Sequence, residues 1–279
     1  MTTVTDIPLI PTTEDAQARP LAAGSAGGVS AVKFACVGCG ACCRGRFVPL
    51  THDEAFAWLA RGDDVAILLE AFLYEPLRSN QPRYRHDSGR AGVVRSGTAS
   101  LHVIAILAGV AQPQCPNLGA DNACTIYTER PLVCRIYPME INPFITLDPS
   151  AKDCPPESWG SEASEVLIGS DRRAHPEVAA LIEASREADR RDADLKLGIC
   201  RALGYSVAGW KGNGLTVYLP QRQRLVEAFR AAAEQADSPS RWAVQVQGRD
   251  LGDALQRQGI QLNDATGEHF FVPSAPAGQ

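Results

Sequence analysis

The chain has 279 residues, 45% of them hydrophobic, which is enough to bury a sizeable core in one large domain or two small ones. Its formal net charge of -5 spreads no basic field over the surface, so bulk electrostatics favour neither a nucleic acid nor an anionic membrane as partner. The opening stretch, MTTVTDIPLIPTTEDAQARP, has no basic segment leading into an apolar one, and no later stretch approaches the ~18 uncharged apolar residues of a membrane span, so a cytoplasmic protein is expected.

Residues 1–30 are rich in Thr, Pro, Ala and Gly without periodicity, and read as a mobile leader. From Val32, VKFAC reads as a short strand entering a cysteine loop. Thr51 with Glu54 forms a capping box, and Phe56 and Leu59 begin a helical face that stops at Gly62. The apolar run DDVAILLEAFLYEP is expected to be a second helix closed by Pro76, and QPRYRHDSGRAG a polar loop. ASLHVIAIL reads as a buried strand. Gly119 to Asn122 should turn before Cys124, CTIY should form a brief strand, and a short helical turn should carry Cys134. INPFITL is expected as another strand, with Cys154 in the DCPPES loop that follows.

The remainder differs in character. Pro176 opens a long charge-laced helix that Gly204 ends, and YSVAGWKGNGLTVYLP predicts a hairpin about KGNG. A helix over QRQRLVEAFRAAAEQA, a strand at WAVQV, a short helix at LGDALQRQ and a strand at HFFV complete the chain. The fold class expected is α+β: a leader at 1–30, a small cysteine-cluster metal-binding domain at 31–160, and a helix-rich α+β C-terminal region at 161–279.

Nine cysteines stand at 36, 39, 42, 43, 115, 124, 134, 154 and 200. A reducing compartment keeps such thiols from pairing as disulfides, and the odd count also argues against a disulfide framework, so metal is the natural alternative. A Cys-x-x-Cys turn faces two sulfurs at one ion, and Cys36, Cys39 and Cys42 repeat that spacing, so three sulfurs can converge on one centre. Cys43 is surplus there, since adjacent side chains diverge, and it suits a second centre, a bridge or a redox reaction. With Cys115, Cys124, Cys134 and Cys154 the candidate ligands number eight, enough for two four-thiolate sites.

The second region shows no separate zinc knuckle, whereas a C-x2-C-x2-C triple with remote Cys115-Pro116 and Cys154-Pro155 resembles iron-sulfur spacing, so an iron-sulfur cluster is preferred over a zinc or iron ion. Such sites leave negative charge to be offset, for which Arg44, Arg46, Arg130 and Arg135 are placed nearby. Tyr127 and Tyr137 could act as packing aromatics or as hydroxyl donors beside the ligands. Cys200, three residues after Leu197, reads as a small buried hydrophobe; His52 reads as a helix-start residue and His102 as a strand histidine.

The combination CVGCGACC, then CPNL, then CTIYTERPLVCRIYP and a late cysteine, resembles the YkgJ-type cysteine-cluster family, a zinc- or iron-chelating domain, over roughly residues 34–155. The resemblance implies that Cys36, Cys39, Cys42, Cys43, Cys115, Cys124 and Cys134 chelate, with Cys154 in a looser context. The same domain resembles the core of flagellin lysine N-methylases, which implies a protein-modifying enzyme as one alternative, although the only glycine-rich stretch, GSAGG at 24–28, does not follow a strand. The expectation is therefore a metal-binding protein with a redox or metal-related role, the alternatives being a lysine N-methylase and a structural zinc module, with an unknown protein as partner and no nucleic acid or membrane.

Overall fold

The computed structural model describes residues 31–159, 165–232, 241–263 and 267–274; the leader expected at 1–30 lies outside them. Helices and strands mix throughout, an α+β architecture, and no helix among the described residues is long and apolar enough to cross a membrane. The chain divides into two compact units that are discontinuous in sequence: one draws on segments up to Arg46 and on Ala111–Glu187, the other on Phe47–Val110 and Ala188–Gln279.

The first unit holds little regular structure. Strand β1 (Val32–Phe34) pairs antiparallel with a strand near its far end, Glu165–Ile168, and Phe34 packs on Trp159 with ring centroids 4.9 Å apart. Short turns of 3-10 helix, the short α-helix Leu132–Ile136 and the greater part of the helix Pro176–Arg191 carry the rest of the unit.

The second unit is built on a sheet. Its strands are β2 (Arg44–Leu50, entering from the first unit), β3 (Val65–Leu73), β4 (Gly92–Ser96) and β5 (Ala99–Gln114), with helices α1 (His52–Ala60) and α2 (Pro82–Ser88) between them. Strand β3 lies beside β5, pairing antiparallel from Val65↔Gly109 to Leu73↔Leu101. The expected capping box holds: the Thr51 hydroxyl accepts from the Glu54 amide, and the Glu54 carboxylate from the Thr51 amide at 2.9 Å. Helix α1 settles through Trp58, 1% exposed, onto Gly109, where a side-chain carbon would stand 2.7 Å from the indole.

Several sequence expectations are corrected. The run at 63–76 is strand β3 rather than a helix, with its first seven residues all buried. Leucine and alanine favour helices, but a run buried on both faces shows no period, and nine ladder pairs with β5 outweigh the small difference in propensity. The polar loop after Pro76 contains helix α2, with Pro82 in its first turn and Tyr84 and Asp87 buried on one face. CTIY is not a strand: Cys124 makes a single bridge to Leu118, and Thr125 turns its amide and hydroxyl onto the Asn117 carbonyl. INPFITL is not a strand either, because the Asn142 carboxamide accepts the Phe144 amide at 3.0 Å and closes a turn at Pro143.

Helix α3 (Leu132–Ile136) carries Cys134 as expected. After β6 (Glu165–Ile168), the long helix comes as two, α4 (Pro176–Arg191) and α5 (Ala193–Leu203), parted at Asp192. That buried carboxylate accepts the His52 amide at 3.0 Å and the Arg191 guanidinium at 2.8 Å. Strands β7 (Val207–Trp210) and β8 (Gly214–Tyr218) flank the turn expected of a hairpin, yet each pairs with β3 rather than with the other: β7 parallel at Glu70 and Ala71, β8 antiparallel at Ile67 to Leu69. Gly209 is needed there, since a side-chain carbon would meet the Gly214 carbonyl at 2.3 Å. Helix α6 (Arg222–Ala231), β9 (Ala243–Gln245), α7 (Arg249–Arg257) and β10 (His269–Pro273) follow as expected, and β10 closes one edge on β8.

A carboxylate on β3 is answered by two cations from other segments, one of which is shared with a second carboxylate. Glu70 lies 3.2 Å from Lys211 and 3.6 Å from Arg90; Arg90 also reaches Asp189 at 2.8 Å, and Lys196 binds the same aspartate at 2.5 Å. Burial works against the charge on Asp189, but Lys196 and Arg90 overcome it and hold its carboxyl below the usual range. Arg90→Met should leave Glu70 to Lys211 alone and Asp189 to Lys196 alone and lower stability by about 2 kcal/mol, whereas Thr51→Ala should cost only about 1 kcal/mol, both read from urea unfolding midpoints.

Candidate metal centre

The cysteines are placed by backbone contacts between segments far apart in sequence. The Ala35 amide donates to the Ser158 carbonyl at 2.9 Å, anchoring the chain immediately before Cys36. Gly38 and Gly40 then take left-handed conformations, φ 69° and 71°, that bend the cysteine loop back on itself. At Gly40 close approach adds to conformation: a side-chain carbon would stand 2.7 Å from Arg44 and 3.2 Å from Leu118. Arg44 fastens the contact, donating to the Gly40 carbonyl at 2.9 Å and to the Asn122 carboxamide oxygen at 2.5 Å. Alongside, the Cys115 amide donates to the Cys43 carbonyl at 2.7 Å.

The second region is knit into a compact loop. Gly119 donates to the Ala123 carbonyl at 2.8 Å, the Asp121 carboxylate accepts the Ala123 amide at 3.0 Å, and Asn122 takes φ 63°. Cys124 thereby stands opposite Leu118. Pro131 opens helix α3, whose Ile136 is 1% exposed, and Cys134 rides between them. Cys154 sits in a loop that Arg46 ties down through an ion pair with Asp153, while the Tyr137 hydroxyl accepts the Asp153 amide at 3.3 Å and hydrogen-bonds the Cys154 thiol.

None of the eight candidate cysteines is in a disulfide, and all share the first unit. Their mutual charges couple them, Cys42 acting on Cys154, Cys43 and Cys134 alike. Cys154 feels Cys42, Cys39 and Cys36; Cys43 feels Cys42, Cys115 and Cys134; Cys134 feels Cys42, Cys115 and Cys124. Cys42 and Cys43 form the seam, sulfur to sulfur 3.9 Å. They titrate as a pair: the Cys43 thiol donates to Cys42, which with Arg46 nearby is lowered to about 6, while Cys43 is pushed up by holding the proton and by burial. Burial, then neighbouring thiolates, raises Cys134 to about 12. Sulfur ligands that repel one another when ionised suit a thiophilic cation, which would offset that charge. Among the described residues no three His, Cys, Asp or Glu side chains stand close enough to hold an ion as they are, so the thiols are gathered without being closed around a point.

Other expectations are resolved by position. Cys200 is fully buried on α5, and burial raises its thiol to about 12. His52 does begin α1, and His102 is buried on β5 among Phe72, Tyr74 and Tyr84. Arg44 serves backbone and Asn122, Arg130 stacks 3.7 Å over Tyr127, and Arg135 is exposed. Asp153 and Asn122, which carry the loop contacts, were not singled out in the sequence. Adjacency to Cys154 was the only signal for the first, and a turn position for the second.

Residues 35–155 match a family model, CxxCxxCC, described as "Putative zinc- or iron-chelating domain". No curated protein and no solved structure matches the chain. In the reduced, metal-free protein, Cys42 should be alkylated readily at pH 7, because a thiol lowered to about 6 is mostly thiolate there, and its rate should fall as pH drops through about 6. Cys134 should react only in strong alkali. Peptide mass spectrometry reads both, and equal rates at pH 7 would contradict the assignment.

Proposed function

We propose that this chain, whose residues 35–155 match a zinc- or iron-chelating family model, holds metal through Cys36, Cys39, Cys42, Cys43, Cys115, Cys124, Cys134 and Cys154, as iron-sulfur, in a redox or metal-handling role. The observation that carries the reading is the close seating of the first cysteine run on the second, through the Cys43 carbonyl, the Cys115 amide and the side-chain-free approach at Gly40. It brings sulfur from four chain segments into one unit with no histidine among the candidate ligands. When bound, iron-sulfur would supply one-electron chemistry.

The chain's own residues prepare for that role. Arg46 favours the thiolate of Cys42 and, paired with Asp153, holds the approach of Cys154. Tyr137 hydrogen-bonds the Cys154 sulfur, the kind of contact that orients a ligand and tunes its basicity. Lys152 lies 5.6 Å over the Tyr137 ring and pairs with Glu140, restricting the ring in turn.

Protein purified without oxygen should be brown and contain iron and acid-labile sulfide in near-equal amounts. Stoichiometric zinc without sulfide would replace iron-sulfur by a zinc module and leave the thiolate ligand set standing. Metal-free protein that takes up neither metal would overturn the ligand set itself. Cys39→Ser should lose metal and unfold more readily, while Cys200→Ala should keep its metal and lose about 1 kcal/mol at most.

A further inference from the structure

Large apolar side chains gather at one exposed end of the sheet. Of the seven that are exposed among the described residues, three fall in a single stretch: Tyr74, Leu77 and Val93. Phe72, His102 and Val93 stand opposite one another across β3, β5 and β4, and alternate residues of a strand share a face, so Tyr74 joins Phe72 there. Ring contacts agree, with His102 lying 5.0 Å from Phe72 and 5.1 Å from Tyr74. Helix α2 covers part of this face through Tyr84, 5.9 Å from Phe72 and 5.8 Å from His102, and leaves Tyr74 and Val93 at its margin.

The turn Pro76–Arg78 that follows β3 presents Leu77, 95% exposed. It is braced: the Tyr84 hydroxyl accepts the Glu75 amide at 2.6 Å, and Arg78 donates to the Glu75 carboxylate at 2.8 Å and to Gln81 at 3.0 Å. An apolar side chain on a turn already fixed costs a partner little ordering. Charge surrounds it, since Arg78, Arg83, Arg85 and Arg95 are all exposed. The acids of the same stretch are Glu75, paired with Arg78, and Asp87, which is buried. Arg95 is held in the row of Tyr74, because its guanidinium donates to the Ser100 hydroxyl at 3.0 Å and the Tyr74 amide to the Ser100 carbonyl at 3.1 Å. A chain of net charge -5 thus carries a locally positive surface around an apolar centre.

We propose that this face of the sheet unit docks an acidic segment of another protein, one that sets leucine or phenylalanine among aspartates and glutamates. The apolar anchor lies against Tyr74, Leu77 and Val93, while the arginines take the carboxylates, for which a guanidinium fork is well shaped. Aromatic and arginine side chains around an apolar centre are the composition that protein interfaces favour. Single-stranded nucleic acid fits less well, because Leu77 and Val93 offer no ring on which a base can stack and the chain's net negative charge repels a polyanion at long range. No thiol takes part, so the surface is independent of the metal centre.

The test uses the full chain as purified and a fluorescein-labelled peptide in which glutamate and aspartate alternate with leucine and phenylalanine, read by fluorescence anisotropy. Two control peptides replace the apolar residues by serine or the acids by lysine. The acidic apolar peptide should bind with a micromolar Kd that weakens as salt rises, and neither control should bind. Leu77→Ser and Arg85→Glu should each weaken binding about tenfold with the melting temperature unchanged, because both side chains are exposed. Leu219→Ser, an exposed apolar position at the end of β8, should change nothing. Absence of binding, binding that Leu77→Ser and Arg85→Glu leave intact, or equal binding of the serine peptide would overturn the proposal. Tighter binding of oligothymidylate that the same variants lose would give the surface to nucleic acid instead. A dimer in sedimentation that Leu77→Ser abolishes would give it to a second copy of the chain, and either result overturns the acidic partner.

Discussion

The cysteine unit depends on one close approach. The carbonyl of Cys43 receives the amide of Cys115 while Gly40 lies against Leu118 and Asn122, and two cysteine regions more than seventy residues apart become neighbours there. Only glycine satisfies both demands at residue 40, a left-handed backbone and no side chain in the 3 Å space beside Arg44 and Leu118. The guanidinium of Arg44 then spans the joint, serving the backbone of one segment and the side chain of the other. Its role is therefore mechanical, whereas the charges of Arg46 and Arg130 reach thiols, those of Cys42 and Cys134.

The two units meet the same electrostatic problem with different means. In the sheet unit, Glu70 is buried and Asp189 half-buried, and Arg90, Lys196 and Lys211 answer them from within the chain. Each charge there has a partner of opposite sign, so the network is self-contained. In the cysteine unit, thiols instead repel one another on ionising, and Cys43, Cys134 and Cys154 are all raised by their neighbours as well as by burial. Arg46 shares its charge with Asp153. A cation from outside the chain is the group that such an assembly lacks, which is consistent with a zinc- or iron-chelating family.

Where the sequence reading of the fold went astray, the cause was tertiary. The run from Val65 to Leu73 is rich in residues that favour helices, and its lack of period fits a strand covered on both faces as well as a buried helix. Nine ladder pairs with β5 decided the matter, because a central strand gains its hydrogen bonds from neighbours that local propensity does not describe. Asp192 divides a helical run for a similar reason: its carboxylate is occupied by the His52 amide, 140 residues away. By contrast, the capping box at Thr51 and Glu54 was legible because both of its hydrogen bonds close within four residues.

What the sequence determined by itself was the chemistry: which residues are thiols, that three repeat at a ligand spacing, that Cys43 is surplus to the first group, and which family the pattern resembles. These are properties of composition and short-range spacing, and a chain carries them in any conformation. Tertiary structure alone decided the company each thiol keeps. Cys154 joined the exposed loop through Arg46, Asp153 and Tyr137, and Cys43 joined Cys115 and Cys134, by contacts spanning up to 107 residues. Such pairings depend on where remote backbones can pack closely, as at Gly40, and spacing along the chain does not encode that.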